Sequence, residues 1–542
     1  MSKPNDKNGN NKSNPSNSKK RKTYPRNRKQ NFKSDEGNRN SASGSYANQD
    51  LARDGSNDAS WYAINPQLLN DAGQLSFNNP LGVGLPGVVN GDPNSTLMFT
   101  PGVCKLHFMP GVGYSEDNSS ALNLAARRIY TFIRHANSGS ANYDSPDLMM
   151  YLLAVNSAYM TYVQCVRAYG IANVYSMYNR YLPDALLRAA GFDPEDVRLN
   201  LANFRYGINI AAAKLGQLAV PNTMSYFKRS AWLVNNVYAD SSTAKSQLYV
   251  LATDAWYTLE ETASNKGTSL QIQGVDTTQK GLKVADWLNR LNTQIAKLVE
   301  SEEIGIMAGD ILKAYGANAL MVAPAISEDY VVTPVYNEEV LTQINNCILL
   351  QGSPFVSGSK WNLPSFNITQ NPDTGAILYQ PYFTWGGQWD NPVNYRKPIT
   401  IRSNMPTPAD IMVASRGMIG GTVDTSGGET PALLSVRQMG TEVFTNGVIF
   451  KYNSSHELTT QTFTSYEEPT QDRFLIYADL SKFAWAPPVF LLSGGDTSAF
   501  TVAGVLQDWN NVTTIGVPEL AKLHETALLS MFNVPSMSSD FR

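Results

Sequence analysis

The chain of 542 residues is 42% hydrophobic and 10% aromatic, which is typical of a folded protein with room for about three or four domains. Its cysteines, Cys104, Cys165 and Cys347, lie far apart without a CxxC pair, which argues against a disulfide scaffold and a zinc site. The formal net charge is only −3, but this value hides a strong asymmetry along the chain.

The first forty residues form a basic segment with a balance of +9, whereas the rest of the chain carries −12. The basic side chains are Lys3, Lys7, Lys12, Lys19, Lys20, Arg21, Lys22, Arg26, Arg28, Lys29, Lys33 and Arg39. Large apolar side chains are rare among them, so the segment cannot bury enough surface to offset its ordering entropy. We therefore expect a disordered arm over residues 1–55.

A polyanion is the natural partner of this arm. Asp and Glu are absent from residues 7–34, so the positive charges are not paired internally. Binding to RNA should then ignore base sequence and weaken steeply with salt, with a log–log slope of about 0.7–0.9 per neutralised phosphate. Two other interpretations stay open, a nuclear address at Lys19–Lys22 and a solubilising tail without a partner. The segment has no apolar h-region, so we expect no secretory signal and a reducing, cytosolic place of synthesis.

Packing is expected to begin near Trp61, where the polar composition ends. From there to Met109, short apolar pieces alternate with Gly, Pro and Asn, which predicts loops and some strand. A GxGxxG match at residues 82–87 contains and follows prolines, so a glycine loop is favoured over a dinucleotide site. Residues 119–136 place their apolar side chains on one stripe and predict a helix.

The stretch that begins at Ser145 contains the longest predicted helix. Ser145, Pro146 and Asp147 are three agreeing start signals, and Gly170 is expected to end the helix. No residue between Asp147 and Arg167 is charged, so most sides should be buried. A bilayer span is the alternative, since about 20 apolar residues suffice. Scattered polar residues and the lack of flanking basic clusters favour a central helix in a helical layer, without a membrane partner.

Further helices are predicted at residues 183–191, 193–218, 221–234 and 281–315. Residues 246–260 are expected to be extended.

The composition changes near residue 350. Residues 351–510 are rich in Gly, Pro, Thr and Asn and contain short β-type runs, among them ITIRS, EVFTNGVIFKY and RFLIYADL. The tripeptide Thr445–Asn446–Gly447 indicates a hairpin between two strands. A last helix is predicted at residues 518–531, and it would return the C-terminal part to the helical region.

No catalytic, cofactor or metal site is predicted. The sequence lacks GxxxxGK[ST], HExxH and GxSxG motifs, and its four histidines are widely separated. His524 is expected to be a core or interface residue, and Asp193 is expected to cap a helix. The pairs Arg205–Tyr206 and Lys228–Arg229 are expected to form salt bridges or stem packing instead of specific RNA contacts.

Six segments in the centre of the chain resemble the capsid proteins of picobirnaviruses. They are DLMMYLLAVNSAYM, VRAYG, YNRYLPDALLRAAG, NLANFRYGIN, VPNTMSYFKRSAWLVNNVYAD and EEIGIMAGDILKAYG, in this order between residues 147 and 316. The resemblance implies a self-assembling coat of a non-enveloped virus with a segmented double-stranded RNA genome. It also implies symmetric, intertwined homodimers, a mostly helical shell domain, a projecting domain and an interior arm that touches RNA. Some relatives trim their own N-terminus, but no motif here places such a cut.

These observations predict an α+β fold of four parts. They are a disordered basic RNA-facing arm (1–55), a mostly helical shell domain (56–345), a β-rich projecting domain (346–511) and a C-terminal helix returning to the shell (512–542). The expected function is that of a capsid protein, a structural protein and not an enzyme, which is made in the host cytoplasm and located in the virion as an icosahedral shell around RNA. A cellular RNA-associated protein and an RNA-processing enzyme with a basic targeting arm are the alternatives.

Overall fold

The computed structural model describes residues 62–75, 77, 82, 84–86, 96–99, 102–139, 142–174, 182–243, 245–261, 267–274, 280–350, 363–385, 396–424, 432–453, 457–467, 469–493 and 501–535. The chain divides into two compact units, Met1–Ser76 and Phe77–Arg542. In the first unit, a 3₁₀ helix at Pro66–Leu69 leads into the short helix α1, Asn70–Gly73. The second unit is called the body below.

Helices make up much of the body and lie where the sequence predicted them, except that the single helix predicted at residues 193–218 is divided into two at Asn200. They are α2 (Ala121–Ala136), α3 (Ser145–Ala172), α4 (Leu182–Ala189), α5 (Pro194–Leu199), α6 (Leu201–Leu215), α7 (Ser225–Asn235), α8 (Val284–Val299), α9 (Glu302–Tyr315), α10 (Glu338–Asn346), α11 (Pro408–Ala414), α12 (Gln471–Leu480) and α13 (Val517–Met531).

The strands of the body form several small sheets and one larger sheet. They are β1 (Gly84–Pro86), β2 (Thr96–Phe99), β3 (Val103–Pro110), β4 (Tyr238–Ala239), β5 (Leu248–Thr253), β6 (Ala255–Glu261), β7 (Thr268–Gly274), β8 (Thr369–Gln370), β9 (Ile377–Leu378), β10 (Tyr382–Trp385), β11 (Lys397–Ile401), β12 (Gly420–Asp424), β13 (Ala432–Gln438), β14 (Glu442–Tyr452), β15 (Leu458–Phe463), β16 (Tyr466–Glu467), β17 (Val489–Ser493), β18 (Thr501–Leu506) and β19 (Asn511–Ile515). Within the glycine motif, Gly84–Pro86 is strand β1, paired antiparallel with β2.

The five-stranded central sheet has the order β15-β14-β3-β5-β4. Strand β3 pairs parallel with β5 and antiparallel with β14, and every residue of β3 is buried. A strand buried on both faces needs apolar neighbours above and below it. The central sheet therefore joins segments that lie more than 300 residues apart in the chain.

Helix α3 lies at the centre of the helical layer, as predicted. It packs against α2, α4, α5, α6, α7 and α8 and against strand β6, and nearly all its residues from Leu148 to Ile171 are buried. Its N-cap is Asp144, one residue before the predicted Ser145, and the Asp144 backbone N–H donates to Asp147 at 3.3 Å. This reciprocal arrangement fixes the start of the helix.

Gly170 does not end α3, because the helix continues to Ala172. Instead, Gly170 lets another segment approach: a Cβ at this position would lie 2.5 Å from Cγ2 of Val332 and 2.9 Å from Cε1 of Tyr330. The Val332 backbone N–H also donates to the Gly170 carbonyl at 3.2 Å. The glycine signal thus marks a close contact instead of a helix end.

The predicted hairpin at Thr445–Asn446–Gly447 is wrong. These residues lie inside the single strand β14, where the register with β3 shifts by one residue between Phe444 and Gly447. Thr445 and Asn446 are buried, and their side chains hydrogen-bond to each other at 3.0 Å. A β-bulge uses the same turn-forming residues as a hairpin but lets the strand continue.

The run RFLIYADL is also not a strand, because it lies in helix α12. Tyr477 and Leu480 are buried, whereas Phe474 and Leu475 are exposed, which is a helical period and not a strand period. Helices α10 and α11 are likewise absent from the sequence prediction, since their surroundings are rich in loops.

The α+β class is confirmed by this combination of helices with small sheets. Strands β14 and β15 lie in the predicted projecting range, yet they belong to the central sheet of the body together with β3. Which segments project from an assembled shell stays a prediction. Among the residues that the structure describes, no helix is both long and apolar enough to cross a membrane.

We predict that Gly170→Ala destabilises the body by about 1–3 kcal/mol, because the added methyl group overpacks against Val332 and Tyr330. Gly305→Ala in α9 is the matched control, since nothing lies within 4 Å of the place that its added Cβ would occupy. That change should be neutral or stabilise the helix by about 0.5–1 kcal/mol. Urea unfolding followed by tryptophan fluorescence measures both effects, and equal midpoints for the two variants would contradict the assignment of Gly170.

Candidate assembly and nucleic-acid-binding surfaces

The predicted RNA-binding residues lie outside the described residues. These are the twelve basic side chains from Lys3 to Arg39. Their position relative to one another, and the contacts that they make, therefore stay predictions. The structure describes most of the body, and the charges of the body bear on where RNA could bind.

Two basic side chains of the predicted pairs, Arg205 and Arg229, contact acids, whereas Lys228 is exposed and forms no salt bridge with a described residue. Arg205 lies 3.8 Å from the Glu328 carboxylate. Arg229 donates to Glu442, and it donates to Thr441 and Gln343 at 2.9 Å each. Since these guanidinium groups are engaged within the protein, they are poorly placed to bind phosphates.

A polar centre is buried between strands β3 and β5. Nδ1 of His107 lies 2.6 Å from both carboxylate oxygens of Asp254, and Nζ of Lys105 lies 3.9 Å from Asp254 Oδ1. The three residues are 1–3% exposed. The parallel pairing of Phe108 with Thr253 brings these groups together although they are 147 residues apart in the chain.

The charges in this centre compensate one another. Burial lowers the pKa of Lys105 to about 8, while Asp254 acts in the opposite direction. A buried ion pair of this kind is costly to break, because the remaining charge would lose the opposite charge beside it while it stays buried. We infer that the centre holds β3 and β5 in register.

Arg167 of α3 makes a second buried polar contact with the sheet. Its side chain is 0% exposed, and Nη1 donates to the Leu251 carbonyl of β5 at 2.7 Å. Leu251 lies beyond the two residues of β5 that pair with β4. The guanidinium therefore connects the central helix to the central sheet.

Neither buried group has the geometry of an active site. A substrate could not reach His107, Lys105 or Asp254 in this conformation, since all three are almost completely buried. His524 is buried in α13 with Nε2 2.9 Å from the Met418 carbonyl, which confirms the core position predicted for it. His456 lies outside the described residues, and within the described ones no three His, Cys, Asp or Glu side chains group as metal ligands.

Asp193 caps α5 as predicted, because its side chain accepts from the Glu195 backbone N–H at 3.1 Å. The three cysteines are free and buried, and burial raises the pKa of each thiol. The three thiols thus lie in the protein interior.

The surface of the body carries large apolar side chains that no described residue covers. Tyr206 is 70% exposed, Val322 is 76% exposed and Met405 is 81% exposed. A groove of about 770 Å³ runs beside β19, a strand whose first four residues are exposed and which pairs only with β11 in the described sheet. Exposed apolar surface and open strand edges are typical of protein–protein contact surfaces.

Comparisons with known proteins identify the relatives of this chain. The family model for picobirnavirus capsid proteins matches residues 61–419. A capsid protein precursor from human picobirnavirus (strain Human/Thailand/Hy005102/-) is 32% identical over 514 residues, covering 89% of this chain and 91% of the relative. The crystal structure of a picobirnavirus capsid is similar with a TM-score of 0.77 at 24% identity, over 89% of this chain and 99% of that chain.

We predict that Asp254→Asn destabilises the body by about 3–5 kcal/mol, because the buried ammonium of Lys105 would lose the nearby negative charge of Asp254. Asn keeps the size of the side chain and can still bond to His107, so the change tests charge. Asp373→Asn, at an exposed position, is the control and should change stability by less than about 0.5 kcal/mol. Urea unfolding measures both, and an Asp254→Asn midpoint equal to that of the control would show that the charge pair is not required.

We also predict that the body loses stability as pH falls below about 6.5, the ordinary pKa of histidine. Burial lowers the pKa of His524 well below that value, and Arg416 lowers it further. Burial also lowers the pKa of His107, although Asp254 opposes the effect. The unfolded chain therefore binds more protons than the folded chain in this range, so acid favours unfolding.

Urea midpoints at neutral pH and at mildly acidic pH test this expectation. His524→Gln should lose less stability on acidification than the natural chain, because one group that gains a proton on unfolding is gone. His135→Gln, at an exposed position near the end of α2, should lose as much as the natural chain. An unchanged loss in His524→Gln would contradict the role of this histidine.

Proposed function

Since the chain belongs to the picobirnavirus capsid protein family, and is thus a viral capsid protein with a structural role in the virion, we propose how its parts divide the work of building a particle. The body assembles through symmetric, intertwined homodimers into a closed icosahedral shell. The basic arm lies inside the shell and binds the double-stranded RNA genome without regard to sequence.

The observation that carries this proposal is the segregation of charge along the chain. The arm has a balance of +9, and the rest of the chain carries −12. An acidic body repels polyanions, whereas an arm with unpaired positive charges attracts them. RNA would therefore collect where the arms are concentrated, which is the interior of the shell.

The reach of the arm supports the same division of labour. Residues 1–55 can extend by at most about 3.3–3.6 Å per residue. Each arm could then sweep a wide interior volume while its subunit stays fixed in the shell. Charge, and not base identity, would recruit the RNA.

The predicted domain boundaries assign parts of the chain to the shell and to the projecting region. Residues 56–345 with 512–542 would form the shell, and parts of residues 346–511 would project from it. Strands β14 and β15 lie in the central sheet with β3, so we assign them to the shell. The projecting surface would come from the remaining segments of that range.

Contacts between subunits would use apolar surface that the isolated body leaves exposed. The groove beside β19 and the exposed side chains of Tyr206, Val322 and Met405 are the candidates. Burying such surface between copies supplies the main driving force for association. We place synthesis in the host cytoplasm, where three free thiols would stay reduced.

RNA content of assembled particles tests the proposal. We expect particles whose arm Lys and Arg residues are replaced by Gln to hold about tenfold less RNA than the natural chain, because few phosphates are neutralised. The matched control is a chain with residues 1–45 in scrambled order, which keeps the composition and should hold a normal amount. The ratio of nucleic-acid to protein absorbance in purified, nuclease-treated particles measures the content.

Two results would contradict the proposal. Normal RNA content without the basic side chains would place the binding site elsewhere. Loss of RNA in the scrambled chain would show that the order of residues matters, and hence that recognition is specific.

A further inference from the structure

We propose that a groove between α7, α10 and α13 is the docking site for the segment that follows α13 in the same chain, residues 536–542, SMSSDFR. This segment lies outside the described residues. The proposal concerns the single subunit, so it does not depend on RNA binding or on shell assembly.

The groove has a volume of about 520 Å³. One wall is the stripe of α7 formed by Ser225, Lys228, Arg229 and Trp232, whose spacing places them on one face of the helix. Val340 of α10 belongs to the groove lining as well. Trp232 remains 40% exposed, so the groove offers an apolar surface that a further side chain could cover.

The groove also carries an excess of positive charge. Lys228 is exposed and forms no salt bridge with the described residues, while Arg229 and Arg416 lie deeper. Glu442 neutralises Arg229, and Glu339 is the single acid among the lining residues. The surface therefore favours an occupant that combines apolar side chains with a carboxylate.

The chain leaves α13 at this groove. Met531 lines it, and the ring of the next residue, Phe532, stacks on Tyr226 of α7 at 4.5 Å. Val534 is still half-buried against the core. The last described residues thus run along the body beside the start of α7.

Residues 536–542 have the composition that the groove favours and are long enough to reach it. Met537 and Phe541 are four residues apart, a spacing that places both on one face in a helix and in a strand alike. Asp540 supplies the carboxylate for Lys228. The groove wall from Ser225 to Trp232 is about 10 Å long at 1.5 Å per residue, whereas the ten residues that follow Met531, up to Phe541, span up to about 33 Å.

A cysteine pair in the full-length chain tests the docking. Ser225→Cys, at an exposed position on the groove wall, is combined with Met537→Cys. The natural cysteines are all buried and should not compete during mild oxidation. The control pair combines Met537→Cys with Thr293→Cys, an exposed position on α8, which packs against α3 and α6 and does not line the groove.

We expect the Ser225 pair to form an intramolecular disulfide at least about tenfold faster than the Thr293 pair, because docking raises the effective concentration of the two thiols. Adding Phe541→Ser should slow the reaction, and adding Arg542→Ser should not. Non-reducing gels distinguish a cross-linked monomer from a dimer. Equal rates for both pairs, a disulfide formed mainly between two chains, or indifference to Phe541→Ser would each overturn the proposal.

Discussion

The central helix and the central sheet meet at a buried cation, where Nη1 of Arg167 in α3 donates to the Leu251 carbonyl of β5 at 2.7 Å. An uncharged stretch from Leu148 to Val166 lets six helices pack around α3, but a buried guanidinium without a hydrogen bond would cost several kcal/mol. The contact therefore fixes where the helical layer sits against the sheet.

The polar centre of Lys105, His107 and Asp254 is a second place where buried polar groups need partners. Each group is buried, and each is placed opposite a partner that compensates its charge or its hydrogen-bonding capacity. Both buried contacts thus stabilise the interior of the body and do not involve its surface. This arrangement is compatible with the proposed function, in which copies of the body contact one another through their surfaces and the arm binds RNA.

Local signals predicted much of the fold, since proline, capping residues and apolar stripes mark helices over a few residues. The caps of α10 and α11, Asn337 and Thr407, are equally local signals, so the starts of both helices are marked in the sequence. The bulge at Thr445 and the close contact at Gly170 could not be predicted. Turn-forming residues occur in hairpins and in bulges, and glycine occurs at helix ends and at close contacts, so the residue type does not distinguish these cases. The pairing of His107 with Asp254 depends on strand register across 147 residues, which no local pattern contains. For the arm, charge alone carried the prediction.

The proposed division of labour requires that the body builds the shell by itself and that the arm serves the cargo. Sedimentation of the full-length chain beside a chain lacking residues 1–45 tests this requirement. We expect closed particles, many times heavier than the 59.5 kDa subunit, from both chains. Particles from the full-length chain alone, or small oligomers from both over a range of salt and pH, would contradict it.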